Sequence, residues 1–165
     1  MPTFIMDKFL LPQQVLARLA EDLLQAEQAA RVAHETATHE ENVAENKYDT
    51  LGLEASCLAT GQARRAETIR QAMVSWRQFC PSPYDASKGI QLGALVCLVD
   101  SDDKQQQLFL GPDGGSMKLV SDAQLVQVIS SEAPLGRAML GKCEGDEVSI
   151  QVGPIRQQFE VLRVR

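Results

Sequence analysis

Aromatic residues are scarce in this chain of 165 residues: one Trp, two Tyr and five Phe, or 5%. Any core must therefore be built mostly from aliphatic side chains. Excess positive charge is also missing. Lys and Arg total 16 against 22 Asp and Glu, a formal net charge of -6. That balance argues against a generic binder of nucleic acid or of anionic membranes. No CxxC pair and no Cys/His cluster occurs. Cys57, Cys80, Cys97 and Cys143 stand 23, 17 and 46 residues apart, and His34 and His39 are five apart. A structural zinc site is not expected from these spacings; the thiols read as free, buried or half-buried groups of a reducing compartment. No stretch approaches the roughly 18 apolar residues of a membrane span. The opening MPTFIMDKFLLPQQ has a short apolar run but neither a basic segment nor a small-residue cleavage site. The expectation is a soluble, cytoplasmic protein. With 44% hydrophobic and 23% charged residues, the chain has the composition of a folded one.

A further absence divides the chain. Between Gln13 and Cys80 there is no proline, and the only glycines are Gly52 and Gly61; the other nine glycines all follow residue 88. Residues 1–80 therefore read as helical and residues 91–165 as turn-rich β structure, joined by a Pro- and Ser-containing linker over 81–90. In the first half, Leu16, Leu19, Leu23, Ala26, Ala30, Ala33 and Ala37 alternate steps of three and four, the spacing of a coiled-coil seam. A second seam reads Tyr48, Leu51, Ala55, Leu58, Gln62, Arg65, Ile69, Ala72, Trp76 and Phe79, with polar breaks at Gln62 and Arg65. Two such seams describe an antiparallel helical hairpin with its tip at about 37–48 and Pro12 in the first turn. Each arm would be roughly 40–50 Å long at 1.5 Å per residue. The far end of the first seam is all Ala, which predicts a slender arm. Gly52 and Gly61 mark either close packing or bending.

The second half reads as short strands: Leu92 to Val99, Gln106 to Leu110, Met117 to Val120, Leu125 to Ile129, Asp146 to Val152 and Gln158 to Val164. A Gly153-Pro154 turn joins the last two, and Pro134 to Leu140 reads as one short helix with Leu135, Met139 and Leu140 as core positions. The expected fold class is α+β: an antiparallel coiled-coil hairpin followed by an antiparallel β domain of about 75 residues. A domain that small has a marginal core, so Trp76 or Phe79 and the linker are expected to pack against it.

The net charge is carried evenly by the two halves, with 11 acids and 8 bases in each of 1–80 and 81–165. Locally it is not even. Residues 35–54 hold six acids, Glu35, Glu40, Glu41, Glu45, Asp49 and Glu54, against the single base Lys47. Residues 62–80 hold Arg64, Arg65, Arg70 and Arg77 against Glu67. Acids near a helix start are favoured by its dipole. Six at the end of a long arm also form a set of oxygen ligands that could share a weakly held Mg²⁺ with another protein.

Ala133-Pro-Leu-Gly-Arg-Ala-Met-Leu-Gly-Lys142 followed by Glu144-Gly-Asp-Glu-Val148 resembles the C-terminal signature of the bacterial Gre transcript-cleavage factors. The closing Gln158-Phe-Glu-Val-Leu-Arg-Val164 resembles the family's F-E-[IV] ending. Leu92-Gly-Ala-Leu-Val96 and Leu110-Gly-Pro-Asp113 are similar to its earlier glycine motifs. The likeness runs in order along nearly the whole chain, hairpin included.

The resemblance implies an FKBP-like C-terminal domain that binds the rim of the RNA polymerase secondary channel. It implies a hairpin inserted into that channel, whose tip carboxylates hold a shared Mg²⁺ and orient water while the polymerase itself cleaves backtracked RNA. On that reading the protein is an accessory factor and not an enzyme, has no cofactor of its own, reaches the nascent RNA 3′ end only indirectly, touches no membrane and is a monomer. The implied polymerase-binding residues are Ala133, Pro134, Leu135, Gly136 and Arg137. Arg64, Arg65 and Arg70 are candidates for RNA or for acidic channel walls, against the alternative of a solvated helix face. The tip departs from the family's D-L-[RK]-E-N-[AS]-E-Y. Here Glu40-Glu-Asn-Val-Ala-Glu-Asn-Lys-Tyr-Asp49 places Asn42 where the family Asp belongs. Glu45 is the first candidate for the catalytic carboxylate, and Glu41 or Asp49 could replace the missing Asp; Glu45 and Glu41 are the candidate metal ligands. Gre-like proteins that occupy the same channel and tune or inhibit polymerase form the alternative. An isomerase reading of an FKBP-like domain needs an aromatic pocket, and residues 90–165 contain only Phe109 and Phe159. A plain coiled-coil adaptor would leave the acidic tip without a purpose.

Overall fold

A computed structural model describes residues 7–43, 50–112 and 116–165, with side chains for 7–39, 53–112 and 116–165. Two compact units are present. One is Ala17–Val74; the other joins Met1–Leu16 to Ser75–Arg165.

The first unit is formed by most of helices α1 (Leu11–Val43) and α2 (Thr50–Gln78), whose ends at 11–16 and 75–78 belong to the second. On α1 the seam lies where the spacing puts it: Leu19, Ala26, Ala33 and Ala37 are buried, and Leu23 and Ala30 half-buried. On α2 half of the expected seam holds and half moves. Ala55, Gln62 and Ile69 face inward, but the intervening positions are Ala59, Ala66 and Met73, each one residue beyond the expected Leu58, Arg65 and Ala72. Leu58 is 56% exposed and Arg65 lies in solvent, while Ala66 is 2% exposed; Ala72 stays buried beside Met73. Both phases have the three–four alternation, so spacing alone cannot choose between them. Opposite a seam of Ala26, Ala33 and Ala37, small residues allow close approach, whereas Leu or Arg would hold the helices apart. The shift also spares Arg65 the cost of burying a charge. Arg70 bridges the two helices, 2.7 Å from Glu27 and 3.1 Å from Glu67. A Cβ at Gly61 would meet nothing, so close packing does not explain that glycine.

The second unit holds a six-stranded sheet. Its strands are β1 (Leu95–Asp100), β2 (Gln105–Gly111), β3 (Met117–Ser121), β4 (Gln124–Ser130), β5 (Glu147–Val152) and β6 (Ile155–Val164), in the order β3-β4-β2-β1-β6-β5. The sheet is mixed, not wholly antiparallel, because β4 pairs parallel with β2. Pro112, which lacks an N–H, follows β2 directly, and β3 takes the outer position, leaving β4 to fill the gap. Alternation of apolar and polar residues is the same in either direction, which is why the sequence did not show it. Val152 and Ile155 pair across Gly153-Pro154 as expected, with Gly153 at φ +62.

Successive strand residues point to opposite faces, and both faces near the sheet centre are covered. On one, Val96, Leu98, Leu108, Leu110, Val148 and Val161 cluster with Ile90 and with Met139 of helix α3 (Pro134–Met139). On the other, Phe109 meets Trp76 and Phe79 from the end of α2, with ring centroids 6.1 and 6.3 Å away. Trp76 and Phe79 are themselves edge to face at 5.6 Å. Gln14 of α1 donates to the Ser121 hydroxyl at 3.2 Å. The expected packing of Trp76 and Phe79 on the β domain is present. The linker is tied in as well: Ile90 N–H donates to the Lys142 carbonyl, and Gly141 N–H to the Ile90 carbonyl, at 2.8 and 2.9 Å.

Candidate functional site

The segment from Ser130 to Asp146 carries the residues that the sequence singles out. It leaves β4 in a turn in which Ser130 accepts from Glu132 N–H on its hydroxyl (3.0 Å) and from Ala133 N–H on its carbonyl (3.1 Å). Pro134 then opens α3, where its missing N–H and fixed φ suit the first turn. Gly136 is buried so tightly that a Cβ would overlap the Ser130 carbonyl. Met139 is fully buried and Leu135 half-buried. Leu140 departs from the core position expected for it. Its backbone leaves the helix at ψ 129, and the side chain is 40% exposed.

These contacts sort the five candidates. Gly136 is a packing residue. Ala133 and Leu135 are partly covered. Pro134 and Arg137 are exposed, and with Leu140 they form the accessible surface of the loop. Arg137 pairs with Glu132 at 3.1 Å, both largely in solvent, so the pair adds little stability and leaves the guanidinium available. Reasoning from sequence missed Glu132; an acid just ahead of a helix that carries an Arg was the signal.

The following Glu144-Gly-Asp motif is structural. Asp146 accepts from Cys143 N–H on its carboxylate at 2.8 Å, and its own N–H returns to the Cys143 carbonyl at 3.0 Å. Glu144 accepts from Val164 N–H at 3.0 Å, and Gly145 stands at φ +89, where a side chain would be strained. The loop is thus bolted to β6, which fixes the base on which Pro134 and Arg137 are presented.

Of the acidic cluster, Glu35 and Glu54 are exposed. Glu41 belongs to the last turn of α1, and its side chain, like all of Glu45 and Asp49, lies outside the described residues. Arg64 and Arg65 are exposed, whereas Arg70 is engaged by Glu27 and Glu67, which push its guanidinium pKa further up. Among the described residues, no three His, Cys, Asp or Glu side chains converge as a metal site. No helix among them is long and apolar enough to cross a membrane.

The family model for the transcription elongation factor GreA/GreB C-terminal domain matches residues 85–165. The GreA transcription elongation factor of Desulfovibrio desulfuricans is 30% identical over 155 residues, covering 92% of this chain and 86% of that protein. The chain belongs to the GreA/GreB family. GreA of Maridesulfovibrio salexigens is 34% identical over 77 residues, which cover 46% of this chain and 44% of that one. The solved GreA factor homolog 1 (Gfh1) of Thermus thermophilus aligns over 91% of this chain and 94% of its own, at 21% identity and a TM-score of 0.38. In this GreA/GreB family member the signature loop is therefore divided: its glycines and Asp146 build the turn, and Pro134 and Arg137 remain exposed.

Proposed function

We propose that this family member docks on RNA polymerase, at the rim of the secondary channel, through an FKBP-like C-terminal domain. The observation that carries the reading is the exposure of Pro134 and Arg137 on a loop anchored at both ends to the sheet. An accessible residue on a rigid base loses little freedom on binding. The hairpin is then the part that enters the channel, and polymerase supplies the active site. Glu45, with Glu41 or Asp49, offers carboxylate oxygens to a Mg²⁺ shared with polymerase and positions water. Such an ion supplies Lewis-acid stabilisation at a phosphoryl oxygen. The protein acts as an accessory factor and does no covalent chemistry.

A second reading keeps the docking and drops the cleavage. Asn42 favours it, because an amide stands where the family tip has an Asp, and an amide is a weaker ligand for a hard cation. One assay separates the two. Stalled polymerase with backtracked RNA is incubated with the purified protein and Mg²⁺. On the first reading 3′ cleavage rises and Glu45→Ala reduces it. On the second, wild type gives no cleavage but slows initiation or elongation. Pro134→Glu weakens polymerase binding on both, and undiminished binding would misplace the interface.

A further inference from the structure

One buried charge is left over by the fold. Lys8 sits in the 3-10 turn Lys8–Leu10 and is only 5% exposed. Its ammonium has three donors and, among the described residues, donates to one acceptor, the Ser82 carbonyl at 2.6 Å. The ion pairs among the described residues are Arg18–Asp22, Arg70–Glu27, Arg70–Glu67 and Arg137–Glu132; none involves Lys8. Its Nζ stands 5.6 Å from the Phe9 ring centroid, a cation–π contact, and burial pushes the Lys8 pKa down from its ordinary value, with no counter-charge paired to it among the described residues. Such a group is costly unless an anion meets it.

A cleft of about 510 Å³ opens beside this residue. Its polar lining includes Lys8, Ser82, Tyr84, Asp85, Lys88 and Ser131. The one carboxylate, Asp85, accepts on a single oxygen from Ser87 N–H at 2.9 Å and from the Ser87 hydroxyl at 2.6 Å, and keeps its charge. Two ammonium groups, Lys8 buried and Lys88 exposed, line the space against that one carboxylate, an excess of one positive charge. The volume is that of a small-molecule site.

We propose that this cleft binds a small anionic ligand carrying phosphate or carboxylate groups, with the Lys8 ammonium as the buried anchor and Lys88 as the outer contact. The anion would take the donors that Ser82 leaves free, and Tyr84 and Ser131 supply neutral hydroxyls nearby. The cleft adjoins the signature loop, whose Ser131 and Leu140 line it, but neither Pro134, Arg137 nor the tip contributes to it.

The full chain is titrated calorimetrically with inorganic pyrophosphate and separately with citrate, at constant ionic strength in chloride. The expected result is saturable one-site binding of at least one probe. Pyrophosphate alone identifies a phosphoryl ligand, and citrate alone a carboxylate ligand. Lys8→Met should weaken binding by about tenfold, the worth of one charge-assisted hydrogen bond. Lys88→Gln should weaken it by roughly threefold, as an exposed charge contact does. Saturation by neither probe overturns the proposal, as does unchanged affinity in Lys8→Met. If Lys8→Met loses its native circular dichroism, Lys88→Gln decides, and unchanged affinity there also overturns it.

Discussion

The Trp76 indole lies directly on Gly111, so closely that a Cβ at position 111 would overlap the edge of the ring. Gly111 ends β2 and Trp76 stands in the last turns of α2. The missing side chain is what lets this helix end reach the sheet. The indole is held by shape alone: its N–H is buried and has no partner among the described residues. An unpaired buried donor costs about 1–3 kcal/mol. The edge-on contact with Phe79 and the tilted contact with Phe109 offset it.

Gly111→Ala should therefore destabilise the protein by about 1–3 kcal/mol, the usual cost of overfilling a packed site. Urea unfolding followed by the fluorescence of Trp76, the sole tryptophan, reads this at the place where it arises. An unchanged midpoint would mean that the indole does not rest on Gly111.

The register of α2 gives a paired prediction. Ala66→Leu should cost about 1–3 kcal/mol, because a large side chain would enter the Ala-lined seam. Leu58→Ala should stay within about 0.5 kcal/mol, since Leu58 is mostly in solvent. Circular-dichroism melts of the two variants suffice; the reverse ranking would restore the Leu58–Arg65 seam.

Two backbone positions can be improved. Asp122 and Ala123 join β3 to β4 with φ of +49 and +62, a two-residue turn of the type that favours glycine at its second position. Ala123→Gly should stabilise by about 1 kcal/mol. Gly61→Ala, in an exposed helix interior with open space at the Cβ, should gain a similar amount, about 1 kcal/mol. Differential scanning calorimetry of the single and double variants checks both, and the two gains should add.

Thiol reactivity should report burial. Cys57 and Cys80 are exposed, Cys143 intermediate and Cys97 buried. Titration with an aromatic disulfide should label Cys57 and Cys80 first, Cys143 next and Cys97 only on unfolding. Burial also pushes the Cys97 thiol up. The folded chain then keeps a proton that the unfolded chain releases. Stability from this group is full below the ordinary thiol pKa and falls as pH rises towards the raised value. Comparing the urea midpoints of wild type and Cys97→Ala from pH 7 to 10 isolates that part.

The sequence by itself determined what depends on local period and on turn chemistry. A proline-free run with alternating three and four steps placed α1 and its seam at Leu19, Ala26, Ala33 and Ala37. Gly153-Pro154 placed the β5–β6 turn, and the spaced signature from Ala133 to Val148 placed the family. Tertiary structure decided the rest. Ala66 and not Arg65 faces α1, because close approach admits only a small side chain. The parallel pairing of β4 with β2 arises because β3 holds the outer position. Within one signature, Gly136 and Asp146 hold the turn while Pro134 and Arg137 are left at the surface. In each case the deciding group belongs to an element distant in the chain or to a neighbour brought back by a turn. Backbone period fixes which residues share a face; what that face meets is set by packing, and the order of residues does not record it.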